Sequence, residues 1–74
     1  MIYTDGTHLI ADDLNELHDF ARKLGLKREW FQSRSLIPHY DLFGRKKRLA
    51  IRKGAMKISS KQIIEMFSPL FKNN

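Results

Sequence analysis

Asp13 and Gly25 bracket the segment of this chain whose structure is most tightly dictated by local chemistry. Between them, Leu14, Leu17, Ala21 and Leu24 are spaced by three, four and three residues. That spacing places them on one stripe of a helix. Asp13, with Glu16 three residues on, has the form of a capping box with aspartate in the hydroxyl position. Gly25 is placed to be the left-handed residue that ends the helix, and Arg22 and Lys23 suit the negative end of its dipole. An apolar stripe needs a partner surface, and a chain of 74 residues has room for one core. The sequence therefore implies a single domain in which this helix packs on whatever its flanks build.

The flanks read as short strands. Ile2-Tyr3-Thr4 is expected as a strand, Asp5-Gly6-Thr7 as a turn, and His8-Leu9-Ile10-Ala11 as a second extended segment. A strand is expected around Trp30-Phe31-Gln32, followed by a loop over residues 33–38, with Pro38 biasing Ile37 to extended geometry. His39-Tyr40-Asp41-Leu42 continues as a short extended piece or as a helix entry. Asp41 is expected to cap a second helix over about residues 43–53, ended by Gly54. Ala55 to Ile58 alternates like a strand. Ser59-Ser60-Lys61-Gln62 forms a second capping box, and Pro69 is expected to stop the third helix or force a new turn. The order β, β, α, β, α, β, α favours an α/β or α+β class, a small sheet of short strands with two or three helices packed against it. An all-α fold is its main competitor. Hydrophobic content of 42% suits a compact fold rather than a disordered chain.

Net charge narrows the partners. Residues 1–26 hold two basic and five acidic residues, and residues 27–74 hold twelve basic and three acidic, so balances of −3 and +9 make up the total of +6. A basic half attracts polyanions: nucleic acid, nucleotides, phosphorylated metabolites or an acidic protein. The chain has no cysteine, which excludes disulfides, thiolate metal sites and cysteine nucleophiles and fits a reducing cytoplasm. No run approaches the length of a membrane span and no signal-peptide pattern opens the chain, so a cytoplasmic protein without membrane partners is expected.

Several segments, taken in order, resemble a known family. They are His8-Leu9-Ile10-Ala11-Asp12, Glu16-Leu17-His18-Asp19-Phe20-Ala21, Leu24-Gly25-Leu26, Trp30-Phe31-Gln32, His39-Tyr40-Asp41-Leu42, Lys47-Arg48 with Ala50, and Gly54-Ala55. Their order and spacing are similar to those of the small bacterial and phage proteins grouped as domain of unknown function 4031 (DUF4031). The resemblance covers residues 1–58 and implies one compact domain, with no activity attached. Residues 59–74 read as a C-terminal helix and frayed tail outside it. Family members open with a strand that ends in an acidic pair and is followed by a longer stretch before the first histidine. Here Tyr3-Thr4-Asp5-Gly6 has one acid and almost no such stretch, so Asp5 is left out of the candidate site.

Candidate site residues cluster around His39-Tyr40-Asp41. A strand puts His39 and Asp41 on one face, about 7 Å apart at the backbone, where a carboxylate can tune an imidazole for acid–base work. Gly44 to Arg48 are expected to form the first turn of the second helix, with amides and a positive dipole end available to an anion. Arg45 and Arg48 would fork onto phosphate oxygens. The leading expectation is a pocket of His8, Asp12, His39, Tyr40, Arg45 and Arg48 that binds a phosphorylated or nucleotide-like molecule. In a phage setting this becomes a host-modulating protein. If the domain is an enzyme, hydrolysis of a phosphoester is expected, with His39 as acid–base and Asp41 as its orienting partner. The alternative is a nucleic-acid-binding or host-protein-interaction module, with Arg45, Lys46, Lys47, Arg48, Arg52 and Lys53 along phosphates, joined by Lys57 and Lys61. Trp30 and Phe31 read as core rather than as a stacking platform. His8 and Asp12, with His18, His39 and Asp41, carry metal donors. No tight ligand motif is present, so no metal or cofactor is assigned and His18 is read as a packed histidine bonded to a backbone carbonyl. A homodimer that completes a pocket is compatible with the sequence.

Overall fold

The computed structural model describes residues 1–71, with side chains through Ser68. β1 (Ile2–Thr4) and β2 (His8–Ala11) form an antiparallel hairpin that pairs Ile2 with Ala11 and Thr4 with Leu9. α1 (Leu14–Lys23) follows, then a 3-10 turn over Arg28–Trp30 and the short strands β3 (Phe31–Gln32) and β4 (His39–Asp41). α2 (Lys46–Arg52), β5 (Met56–Lys57) and α3 (Ser60–Phe71) complete the chain. The strands form one mixed sheet in the order β3-β4-β2-β1-β5, antiparallel except for the β1–β5 pair. This is a small α+β fold. Among the described residues no helix is long and apolar enough to cross a membrane.

The alternation along each strand divides the core in two. Leu9 and Ala11 of β2 and Tyr40 of β4 face one side, where they are buried with Leu17 and Ala21 of α1, Leu24 at its C-terminal end and Ala50 of α2. Ile10 faces the other side and packs with Ile37 and with Ile63 and Phe67 of α3. The sheet is thus a middle layer, with α1 and α2 on one face and α3 on the other. Trp30 and Phe31 pack against the α1-side core, as their sequence context predicts. Leu14, the first residue of the α1 stripe, stays exposed.

Local chemistry accounts for the helix ends. The Asp13 carboxylate accepts from the amides of Asn15 (2.8 Å) and Glu16 (3.3 Å). The reciprocal half of that capping box is absent, because the Glu16 carboxylate pairs instead with the N-terminal ammonium. At α3 both halves form: the Gln62 amide donates to Ser59 Oγ (3.1 Å) and the Ser59 amide to Gln62 Oε1 (3.0 Å). Gly25 ends α1 at φ 82°. A Cβ there would lie 2.9 Å from the Lys46 ammonium nitrogen, which donates to the Leu24 carbonyl at the helix end.

Several sequence expectations fail at the joints. Asp41 does not cap α2. It pairs with His8 in the sheet, and the helix begins at Lys46 without a side-chain cap. Trp30 belongs to the 3-10 turn, and the fifth strand is limited to Met56–Lys57. α3 runs through Pro69 to Phe71; the missing proline amide removes one helical hydrogen bond without ending the element. The expected fraying at Asn73-Asn74 lies outside the described residues.

Candidate functional site

The tight turn between β1 and β2 builds the site. Gly6 adopts φ 106°, a conformation that side-chain-bearing residues resist. The turn lets Asp5 fold back over its own backbone. Its Oδ1 accepts from the amides of Thr7 and His8, both at 2.9 Å, and its Oδ2 accepts from Ser60 Oγ at 2.8 Å. The Thr7 hydroxyl also donates to Oδ1 (3.1 Å), and the ring Nδ1 of His8 lies 2.9 Å from Oδ2. The Asp5 side chain is only 5% exposed. Burial opposes its ionisation, but the bonds from the His8 ring, the Thr7 amide, Ser60 and the His8 amide outweigh that effect and hold the carboxyl well below the ordinary carboxylate range.

This arrangement sets the orientation of His8. An ionised carboxylate only accepts hydrogen bonds, so the proton on His8 is on Nδ1, and Nε2 is the nitrogen turned outward. The same logic applies to His39. Its Nδ1 lies 2.8 Å from the Ile37 carbonyl oxygen, which is also only an acceptor. Both Nε2 atoms then face Asp41: Oδ1 is 3.3 Å from that of His39 and 3.9 Å from that of His8. The two rings meet edge to face, with centroids 5.0 Å apart. The register that pairs His8 with Asp41 across β2 and β4 makes this convergence possible. The cluster opens on a cavity of about 310 Å³ between the sheet, α3 and the 35–37 segment.

Of the expected site residues, His8, His39 and Asp41 come together, and the structure adds Asp5 and Ser60. Tyr40 is separated from them because it lies between His39 and Asp41 on the strand and therefore points to the other face. It is buried there, and its hydroxyl is 2.8 Å from Nδ1 of His18. His18 bonds this phenol rather than a backbone carbonyl, and it packs edge-on against Phe31. Burial, and then the nearby Arg28 charge, push the His18 pKa down, and burial pushes that of Tyr40 up. Asp12 follows the far end of β2, about 13 Å along the strand from His8, and its carboxylate is 3.0 Å from the N-terminal ammonium.

The basic residues also divide. Lys47, Arg48, Ile51 and Arg52 of α2 line a groove with Lys57 and Gly6, and most of the groove wall itself is apolar. Arg45 and Lys53 are exposed but do not line it, and Lys46 is committed to the end of α1. The expected amide cradle at the start of α2 is closed, because the Lys46 and Lys47 amides bond the Phe43 and Gly44 carbonyls at 3.2 and 3.3 Å. A cationic groove replaces it. The groove adjoins the histidine cluster through one turn: Gly6 lines the groove, and its neighbour Asp5 holds His8.

Sequence reasoning missed Asp5 and Ser60. The Asp5-Gly6-Thr7-His8 spacing carried a signal, since an aspartate before a glycine turn bonds backbone amides two and three residues on. Ser60 carried none; its bond to Asp5 spans 55 residues.

A family model described as "Protein of unknown function (DUF4031)" matches residues 4–69. The match extends past residue 58 and takes in most of α3. No curated protein and no solved structure matches the chain.

Proposed function

This chain belongs to the DUF4031 family, and we propose that it binds a phosphorylated, nucleotide-like molecule at the rim of the sheet, with phosphate in the cationic groove. One observation carries this reading: four cationic side chains, Lys47, Arg48, Arg52 and Lys57, line one groove with no acidic residue among them. None of the four makes an ion pair with a carboxylate among the described residues. Concentrated, uncompensated positive charge is what a phosphate group recognises, and Arg48 and Arg52 add forked donors that match its oxygens. The groove encloses about 360 Å³, near the lower end of the roughly 300–1,000 Å³ of small-molecule sites.

His39 and Asp41 keep the roles open to them if the bound ester is hydrolysed, with one change. The orienting partner of His39 is the Ile37 carbonyl on Nδ1, and Asp41 faces Nε2, the nitrogen that would exchange a proton. Tyr40 has no part in this reading, being buried on the other face. Nucleic acid is the alternative polyanion, favoured by the exposure of Arg45 and Lys53 beside the groove.

The test is calorimetric titration with ATP and, separately, with a single-stranded oligonucleotide at several salt concentrations. Arg48→Ala and Lys57→Ala should each weaken ATP binding about 10-fold, the loss expected for one charge-assisted contact. Unchanged affinity in both variants sinks the reading. Oligonucleotide binding that is tighter than ATP binding and falls steeply with salt selects nucleic acid instead.

A further inference from the structure

We infer that His8, His39 and Asp41 form a binding site for a single divalent transition-metal ion, held through Nε2 of each histidine and the Asp41 carboxylate. This goes beyond the phosphate reading and does not depend on it.

One donor atom from each residue can be chosen so that all three lie within 4.8 Å of one another. An ion bound at about 2.0–2.2 Å in tetrahedral geometry needs its donors about 3.3–3.5 Å apart. The His39–Asp41 separation of 3.3 Å already meets this, the His8–Asp41 separation of 3.9 Å has to close by about half an ångström, and the two imidazole donors, within 4.8 Å of each other, have to close by at most about 1.5 Å. The Asp41 and His8 side chains are 54% and 43% exposed, so side-chain rotation can supply that movement without disturbing the core.

The atoms behind the donors also fit a metal ion. A histidine that binds a metal through one nitrogen almost always donates its other N–H to a carboxylate or a backbone carbonyl, which fixes the tautomer and strengthens the ligand. Both arrangements are present: Asp5 behind His8 and the Ile37 carbonyl behind His39. Asp5 is in turn held by two backbone amides of the β1–β2 turn and by Ser60 from α3, so the support behind His8 is built from two separate parts of the fold. A chance meeting of surface histidines with an aspartate does not call for a nearly buried carboxylate that orients one ring.

The donor set names the class of ion. Two imidazoles and one carboxylate suit zinc, iron(II) or manganese, whereas magnesium and calcium prefer all-oxygen sites. Three protein ligands leave coordination positions open, and the cavity beside α3 gives them access. An ion with open positions polarises a bound ester or water, so a centre one turn away from the cationic groove suits a phosphate-bearing ligand.

The experiment uses the full chain, stripped with chelator and desalted, and titrated with zinc, manganese and magnesium by calorimetry. The zinc-loaded protein is then quantified by elemental analysis after gel filtration. One zinc per chain, bound more tightly than manganese and with no magnesium binding, is the expected result. His8→Ala and Asp41→Ala replace exposed side chains, so the fold should persist in the circular dichroism spectrum. Each should lose more zinc affinity than the roughly 10–100-fold that removal of an outer hydrogen-bond partner costs. Asp5→Asn, the outer partner of His8, should fall within that 10–100-fold range, and His18→Ala, on the other face, should bind as the parent does. The inference is overturned if no ion is retained, if magnesium competes equally, or if zinc binding survives His8→Ala and Asp41→Ala. Because phosphate is absent from these titrations, failure here leaves the groove reading intact, and the reverse also holds.

Discussion

The two faces of the sheet treat the same side-chain chemistry in opposite ways. On the α1 face, His18, half-buried at the margin of the packed core, meets the hydroxyl of Tyr40 and lies edge to face with Phe31. A phenol can donate or accept, so His18 finds a partner whichever nitrogen is protonated, and burial disfavours its charged form. On the α3 face, His8 and His39 meet a carboxylate and a carbonyl, which only accept. Those partners dictate the tautomer and turn two Nε2 atoms toward one exposed aspartate. What separates a packing histidine from a ligand-presenting one is therefore the nature of its hydrogen-bond partner, not its burial alone. Tyr40 and His39 are adjacent in the chain and fall on opposite sides of this division.

The largest effect should come from breaking the packed side. Tyr40→Ala removes a buried aromatic ring and should cost about 3–5 kcal/mol in urea unfolding, whereas His39→Ala should cost about 1 kcal/mol, the worth of one hydrogen bond. Equal costs would erase the contrast between the faces. Gly6→Ala comes next. It forces a side chain into φ 106° at the turn that holds Asp5, and should cost about 1–3 kcal/mol; an unchanged midpoint would show that the turn relaxes freely. Tyr40→Phe keeps the ring and removes the bond to His18, for about 1 kcal/mol.

A smaller effect sharpens the comparison through pH. The folded state holds the His18 pKa below the ordinary 6.5, so the unfolded chain takes up that proton first. The His18 contribution to stability is complete above 6.5 and is lost as pH falls from there through the folded value. Unfolding midpoints measured across that window should fall with acid less steeply in His18→Leu than in the parent. Identical slopes would remove the burial argument for this ring. The smallest effect on stability belongs to Arg48→Ala, an exposed groove residue expected to change unfolding by less than about 0.5 kcal/mol while weakening ATP binding. A stability loss well above that would make the groove structural rather than recognitive.

Much of the fold was legible where the signals were local. The α1 cap at Asp13, the left-handed Gly25, the hairpin strands and the Ser59–Gln62 box all rest on residues within a few positions of one another. The failures cluster where a residue had two local options. Asp41 suits a helix cap as well as a strand, and the pairing of His8 with Asp41 decided between them. In the site, the period of two that unites His39 with Asp41 also separates Tyr40 from both, so Tyr40's exclusion was readable from the same rule. The role of Asp5 was half readable from its turn, and the distance of Asp12 was not, because it depends on which end of β2 meets β4.

The sequence by itself determined where α1 begins and ends and where α3 begins, since capping, glycine conformation and apolar periodicity act over a few residues. It also determined that the second half of the chain is basic, and that His39 and Asp41 share a face if their segment is a strand, a choice it left open against a helix entry. Only the tertiary structure decided that β4 lies beside β2 and β5 beside β1, which side of the sheet α3 covers, and that Asp5, His8, His39, Asp41 and Ser60 meet at one rim. Those outcomes depend on strand order and register, and these are set by how two cores are buried at once on opposite faces of one sheet. That burial involves the whole chain, and no short window of residues contains it.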